Sequence, residues 1–298
     1  MISETDTPLV GFLGIGAMGL PMARRIHDSG QRLRAVDLNP SQVSKASEMG
    51  IAASTALDDL ADVDALFVVV ATGDQLRGLL GSAVLSGTGA IKTVVVLSTV
   101  GVDALTDFAD NLANRGISVI DCPVTGGVSG AVEGHLRLFV AGDPADVGGL
   151  RGTLETMGVV QDCGPRVGDG QAYKMVNQLL AASHLAIAGE ALAFAQALGL
   201  DQGKVLKAVS GGAGGSWMLS DRGGRMVQSP DRRNTQTHLS IFVKDTSLVK
   251  DAAAAAGFDA RILSAVAGEF QRASDGGLDT ADDSSIVDVV RSLPNNDR

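Results

Sequence analysis

Cysteine is nearly absent from this chain: Cys122 and Cys163 are the only two in 298 residues, 41 positions apart and outside any C-x-x-C pair. That spacing excludes a disulfide framework and a cysteine zinc site, and both are expected as small buried residues. The four histidines, His27, His135, His184 and His238, show no H-x-x-x-H spacing, so no metal centre is expected. Basic charge is short as well. The 24 Lys and Arg against 34 Asp and Glu leave a net charge of -10, which argues against nucleic acid or an anionic membrane as partner. A small anion remains within reach of local cations and helix termini. Residues 1–8 are polar and carry Glu4 and Asp6, unlike a secretory or transit leader, and the cytoplasm is the expected compartment. The longest apolar stretch, 179–200, is Ala-rich and interrupted by His184, Glu190 and Gln196, which suits a buried helix better than a membrane span.

Glycine, by contrast, is plentiful, with 38 residues. The most informative run is V-G-F-L-G-I-G-A-M-G-L-P-M-A at 10–23, where an apolar strand (9–13) meets a helix (17–27) through G-x-G-x-x-G. In such a turn Gly14 allows the tight bend, Gly16 lets backbone approach a pyrophosphate, and Gly19 lets helix and strand pack closely. Gly14, Ile15, Gly16, Ala17, Met18 and Gly19 are therefore candidate dinucleotide-binding residues. A second strand (33–36) ends at Asp37, 18 residues beyond Gly19, where a carboxylate binds the adenosine ribose hydroxyls and repels a 2′-phosphate, favouring NAD over NADP. A turn or helix-cap role before Asn39-Pro40 is the other reading of Asp37.

Further strands are expected at 66–71, 94–97, 118–120 and 136–141, alternating with helical or turn-rich segments. This is the pattern of a doubly wound parallel Rossmann sheet, whose ligands lie beyond the carboxyl ends of the strands. After about residue 166 strand-like runs give way to Ala-rich helical periodicity. The expected division is an NAD-binding domain over 1–166 and an all-α substrate and oligomerisation domain over 167–298. The break falls at the glycine-rich 164–170, the helical part opens on a long helix apolar almost all round, and the polar tail 292–298 is expected to fray. Such a helix suits packing between domains or subunits, so a homodimer or homotetramer is expected.

Hydride chemistry needs a group that moves the matching proton. Lys174 stands near the start of the long helix in G-D-G-Q-A-Y-K-M-V-N, with Asn177 at i+3 and Gln171 and Gln178 extending the polar stripe. A lysine buried beside a cofactor holds its proton less tightly and can exchange it with a substrate hydroxyl; a lysine snorkelling from a surface turn is the alternative. A second constellation, D-C-P-V-T-G-G-V-S-G-A at 121–131, puts the Thr125 hydroxyl beside Gly126 and Gly127. It reads either as an anion nest for a carboxylate or as an ordinary glycine turn.

These motifs, with S-T-V at 98–100 and K-D at 244–245, resemble the β-hydroxyacid dehydrogenase family over nearly the whole chain. The family includes 3-hydroxyisobutyrate dehydrogenases and tartronate semialdehyde reductases. The resemblance implies Lys174 as catalytic acid/base, Asn177 as orienting residue, and Thr125, Gly126 and Gly127 as the carboxylate site. It also implies Thr99 beside the nicotinamide ribose and Lys244 as a residue of the C-terminal domain closing over the cofactor; a surface cation paired with Asp245 or Asp251 is the other reading of Lys244. Many members have Ser at the position of Thr125 and a proline after S-T-x, where this chain runs Gly101-Val102. Imine-reducing relatives usually lack the lysine. The run from Ser216-Trp217 through Asp221-Arg222 to Lys244-Asp245 looks most like the branch that oxidises threonate, and Trp217 reads as pocket wall or as core. The expected function is an NAD-dependent dehydrogenase of a small hydroxycarboxylic acid, threonate-like before 3-hydroxyisobutyrate. A semialdehyde-acid reductase and a non-catalytic NAD-binding protein are the alternatives.

Overall fold

The computed structural model describes residues 8–292. The expectations for 1–7 and for 293–298 lie outside them. The chain packs as two units, one ending at Lys174 and the other beginning at Met175.

Among the described residues the first unit is built on nine strands: β1 (Val10–Leu13), β2 (Leu33–Val36), β3 (Ala52–Ser54), β4 (Ala65–Val68), β5 (Thr93–Val96), β6 (Ser118–Asp121), β7 (Val124–Thr125), β8 (Leu136–Ala141) and β9 (Gly158–Gly164). They form one sheet in the order β3-β2-β1-β4-β5-β6-β8-β7, with β9 beside β8. Strands β3 through β6 are parallel and β8 runs antiparallel to β6 and β7. The parallel part has the doubly wound order that reverses between β1 and β4 and so opens a ligand crevice there. Helices α1 (Gly19–Asp28), α2 (Pro40–Glu48), α3 (Gly73–Gly78), α4 (Val102–Ala113), α5 (Gly127–Glu133) and α6 (Pro144–Glu155) complete the unit. The central strands are buried on both faces, which is why they read as unbroken apolar runs. Phe12, Phe67, Val95 and Ile120 join one core with Met22, Ala23 and Ile26 of α1. Their strand neighbours Leu13, Leu66, Val68, Val94 and Val96 join a second core with Leu105, Phe108 and Leu112 of α4. The period-2 alternation of strand side chains produces that division.

Three strands went unforeseen. Strands β3 and β7 are only three and two residues long, and β9 has no buried residue and carries the exposed Gln161 and Asp162, so none presents a buried apolar run. Cys163, on β9, is half-buried rather than buried, while Cys122 is buried as expected. Pairing Asp121 with Ala141 and Val124 with Leu138 keeps one register, so β6 and β7 are a single line interrupted at Cys122-Pro123. Pro123 has no N–H to donate to the ladder, and its carbonyl accepts from Phe139 N–H at 3.0 Å.

The long helix α7 (Asp169–Ala197) leads into the second unit, followed by α8 (Gln202–Val209), α9 (Trp217–Met226), α10 (Ser240–Ala255), α11 (Arg261–Asp275) and α12 (Ile286–Ser292). Leu185, Leu192, Met226, Phe242, Phe270 and Ile286 anchor its core, with Phe242 and Phe270 stacked at 5.1 Å between ring centres. Helix α7 is the one helix among the described residues long and apolar enough to cross a membrane. It is not buried all round: Leu180, Ile187 and Phe194 are 53%, 57% and 62% exposed on one face, while Ala182, Leu185 and Leu192 are buried on another. A buried ionic cluster also holds this unit. Arg222 bonds to Asp221 and, at 3.0 Å, to Asp283; Arg225 bonds to Asp282 at 2.8 Å; Arg233 bonds to Asp288. Burial pushes the Asp283 carboxyl up to about 6 against the pull of Arg222. Burial also acts on Asp282, but bonds from Gln236 N–H, Ser284 and Arg225 win and hold it at about 2.

Candidate active site

The crevice edge is assembled from the turns that follow β1, β2, β4, β5 and β6. After β1, Gly14 takes φ +89°, and a Cβ there would stand 1.9 Å from the Val69 carbonyl oxygen. A Cβ on Gly19 would stand 1.9 Å from the Gly14 carbonyl oxygen, whereas one on Gly16 would meet nothing within 4 Å. Gly14 and Gly19 are thus required by the protein's own packing, and the open side of the turn lies over Gly16. That space, in front of the N-terminal amides of α1, fits a dinucleotide pyrophosphate. Asp37, just past β2, accepts from Ile15 N–H and from Asn39 N–H, both at 2.8 Å. It therefore braces the glycine turn, and the helix-cap role belongs to Asn39, whose side chain accepts from Ser41 N–H at 3.0 Å.

Past β5, the Ser98 hydroxyl accepts from Val70 N–H at 2.6 Å and so ties this turn to the one after β4. Thr99 is half-buried beside it. At the end of β6, Asp121 is fully buried and ringed by donors: Gly168 N–H at 3.0 Å, Gln171 N–H at 2.9 Å and Gln171 Nε2 at 3.1 Å. Burial pushes its carboxyl up to about 6, against those hydrogen bonds, which pull it down. Lys174, one turn further along α7, is only 6% exposed, which removes the reading of a lysine snorkelling from a surface turn. Thr125 ends β7, and Gly126 and Gly127 follow with φ of +128° and +65°. Two successive positive-φ glycines make this a special backbone turn, and only glycine adopts both conformations without strain.

In the second unit, Asn177 Nδ2 donates to Gln178 Oε1 at 2.8 Å, and Gln178 in turn bonds to the buried Asp245. Lys244 Nζ lies 3.0 Å from Asp245 Oδ1, so the ion pair foreseen as its alternative role exists. Trp217 is 53% exposed and hence not core; the Arg222 guanidinium sits 5.4 Å from its ring centre. Among the described residues no cluster of three or more His, Cys, Asp or Glu could hold a metal ion.

Residues 9–167 match the family model described as the NAD-binding domain of 6-phosphogluconate dehydrogenase. Residues 168–290 match the one described as NAD-binding of NADP-dependent 3-hydroxyisobutyrate dehydrogenase. The chain belongs to the β-hydroxyacid dehydrogenase family. It is 30% identical to the L-threonate dehydrogenase of Escherichia coli strain K12, over 95% of each chain. It is 28% identical to the 2-hydroxy-3-oxopropionate reductase of the same strain, over 96% of this chain and 98% of that one. Among solved structures, 3-hydroxyisobutyrate dehydrogenase from Salmonella typhimurium superposes with a TM-score of 0.86 at 30% identity, covering 94% of this chain and 99% of that one.

As a β-hydroxyacid dehydrogenase the protein is an oxidoreductase acting on a CH–OH group with a nicotinamide cofactor. Within this dehydrogenase, sequence reasoning left out the roles of Asp121 and Ser98, and it read Gln171 and Gln178 only as parts of a polar stripe and Asp245 only as a partner of Lys244. The available signal was a Gln and an Asp at strand-end and helix-start positions otherwise filled by small or apolar residues. Their partners lie far off in sequence.

Proposed function

We propose that this dehydrogenase oxidises a small hydroxycarboxylic acid, a threonate-like aldonate before 3-hydroxyisobutyrate, with NAD preferred to NADP. Lys174 takes the proton of the substrate hydroxyl, Asn177 orients the substrate, and the backbone of Gly126 and Gly127 with the Thr125 hydroxyl holds its carboxylate. Residues 14–19 and Asp37 bind the dinucleotide, and Thr99 and Lys244 are assigned to its nicotinamide end. The bound nicotinamide supplies the hydride acceptor. Residues 1–166 serve as the cofactor domain and 167–298 as the substrate and oligomerisation domain.

The observation that carries this reading is the burial of Lys174 at 6% exposure in the first turns of α7, because an amine held off the surface is available to exchange a proton with a bound substrate hydroxyl rather than with bulk water. The identity to proteins named L-threonate dehydrogenase supports the choice of acid, and the Asp37 carboxylate supports NAD, since it would repel a 2′-phosphate. Self-association is supported by Leu180, Ile187 and Phe194, which recur every seven residues on the exposed face of α7 as an apolar seam that a second copy would cover. We place the protein in the cytoplasm as a homodimer or homotetramer.

The test is NADH formation with threonate, erythronate, glycerate and 3-hydroxyisobutyrate, with Lys174→Ala alongside. Turnover of one acid that Lys174→Ala loses supports the reading. Turnover retained by a folded Lys174→Ala rejects the lysine mechanism. NADH oxidation by a semialdehyde acid, with no reaction of the hydroxy acids, would assign the reductive direction. Tight NADH binding without any turnover would favour a non-catalytic sensor.

A further inference from the structure

The Gln171 side chain is wholly buried and spends its full hydrogen-bonding capacity inside the first unit. Its Oε1 accepts from Val100 N–H at 3.0 Å and Gly101 N–H at 3.1 Å. Its Nε2 donates to the Ser98 carbonyl at 3.0 Å and to Asp121 Oδ1 at 3.1 Å. A side-chain amide offers two lone pairs and two N–H groups, so nothing is left over. The other oxygen of Asp121 accepts from the backbone N–H of Gln171 and of Gly168. One residue thereby ties the 98–101 segment after β5, the end of β6 and the first turn of α7 to one another.

The approach is close enough to demand glycine. A Cβ on Gly170 would stand 2.5 Å from the Phe139 carbonyl oxygen and 2.9 Å from Asp121 Cγ, so the helix start is seated directly on the sheet edge. Thr99 lies within the bracketed segment, and Lys174 follows Gln171 by three residues on the same helix face.

We propose that Gln171, braced by Asp121, is a positioning residue that holds Lys174 in register with the strand-end turn carrying Thr99. The inference rests on the acid/base reading of Lys174. Gln171 does its work through the backbone: it prevents the first turn of α7 from sliding along the ends of β5 and β6. Loss of the amide would leave the polar groups of 98–101 unsatisfied and let the lysine drift, and a displacement of about 1 Å at a reacting group costs on the order of 100-fold in rate.

The experiment compares wild type, Gln171→Met, Gln171→Glu and Lys174→Ala in turnover of the acid that the wild type oxidises fastest. Rates are expressed per NADH-binding site titrated by fluorescence, so that unfolded protein does not count. Gln171→Met should lower kcat by about 10- to 100-fold, with KM for the acid and Kd for NADH changed by less than about threefold, since misplacement of a proton-transfer group weakens the transition state more than binding. Gln171→Glu keeps the acceptor for Val100 and Gly101 N–H but sets its second oxygen against the Ser98 carbonyl and Asp121 Oδ1, both acceptors, so it should lose kcat as Gln171→Met does. A role confined to stability would lower the number of binding sites and leave kcat per site alone. Should Gln171→Met fail to fold, Asp121→Asn carries the same test, because its amide N–H would face the donors of Gln171. An unchanged kcat per site in the folded variant, beside an inactive Lys174→Ala, overturns the positioning role alone. An active Lys174→Ala, or a wild type that turns over no acid, overturns both this role and the reading beneath it.

Discussion

Alanine at each of the turn glycines separates packing from cofactor recognition. In Gly19→Ala the new Cβ would lie 1.9 Å from the Gly14 carbonyl oxygen and 3.3 Å from Phe12 Cε1. A carbon and a carbonyl oxygen rest at about 3.3–3.6 Å, so the helix must withdraw from β1 by more than about 1 Å. Overpacking of that kind costs about 1–3 kcal/mol, and the absence of any slack against a backbone atom places this case near the top of the range. At about 2–4 °C per kcal/mol for a domain of this size, the first unit should melt about 6–12 °C lower. Gly16→Ala meets nothing within 4 Å, and its stability should stay within about 0.5 kcal/mol of wild type. Its methyl group would instead occupy the space a pyrophosphate needs. A loss of at least about 100-fold in NADH affinity, about 2.8 kcal/mol, is expected. Thermal unfolding of the apoprotein and a fluorescence titration with NADH measure the two effects separately. Wild-type NADH affinity in Gly16→Ala would remove the phosphate site from this turn, and a wild-type melting temperature in Gly19→Ala would refute the packing argument.

Three further outcomes are expected. Arg222→Met leaves the fully buried Asp283 with only Arg225 as counter-charge, and breaking a buried pair on one side should cost the second unit about 3–5 kcal/mol; an unchanged urea midpoint would count against it. Asp37→Ala removes the acceptor of Ile15 N–H and the negative charge, so the ratio of kcat/KM with NADP to that with NAD should rise by at least about tenfold, or about 1.4 kcal/mol. Equal ratios in the two proteins would dismiss the ribose role. Asp121 has a carboxyl raised from 3.8 to about 6, so the native state holds this proton longer than the unfolded chain. Its contribution to stability is complete below pH 4 and is lost as pH rises through 6, by at most about 3 kcal/mol at 1.4 kcal/mol per pH unit. Asp121→Asn should flatten that part of the curve in urea unfolding between pH 4 and 7; a curve parallel to wild type would contradict the burial argument.

The glycine turn, the position of Asp37 just past β2 and the alternation of apolar runs with helices were legible because each depends on neighbours in sequence. A doubly buried parallel strand must be apolar throughout, as 94–96 is, and a turn that packs helix against strand must carry glycine where a Cβ would strike backbone. Lys174 and Asn177 could be placed on one helix face by their spacing alone, since the period of the helix is fixed. Strand β9 escaped notice because an edge strand with no buried residue has no apolar run to display. The function of Gln171 was equally hidden, because a glutamine in a helix sequence looks the same whether it faces water or is clamped by Val100, Gly101, Ser98 and Asp121. Sequence by itself thus determined the buried apolar strands, the glycine turn and the long helix, and it put Lys174 and Asn177 on one helix face. Only tertiary structure decided that Lys174 is buried, that Asp121 is ringed by N–H groups, and that Trp217 lies exposed. Burial and hydrogen-bond satisfaction depend on partners 47 to 73 positions away, and no local period records where those partners will stand.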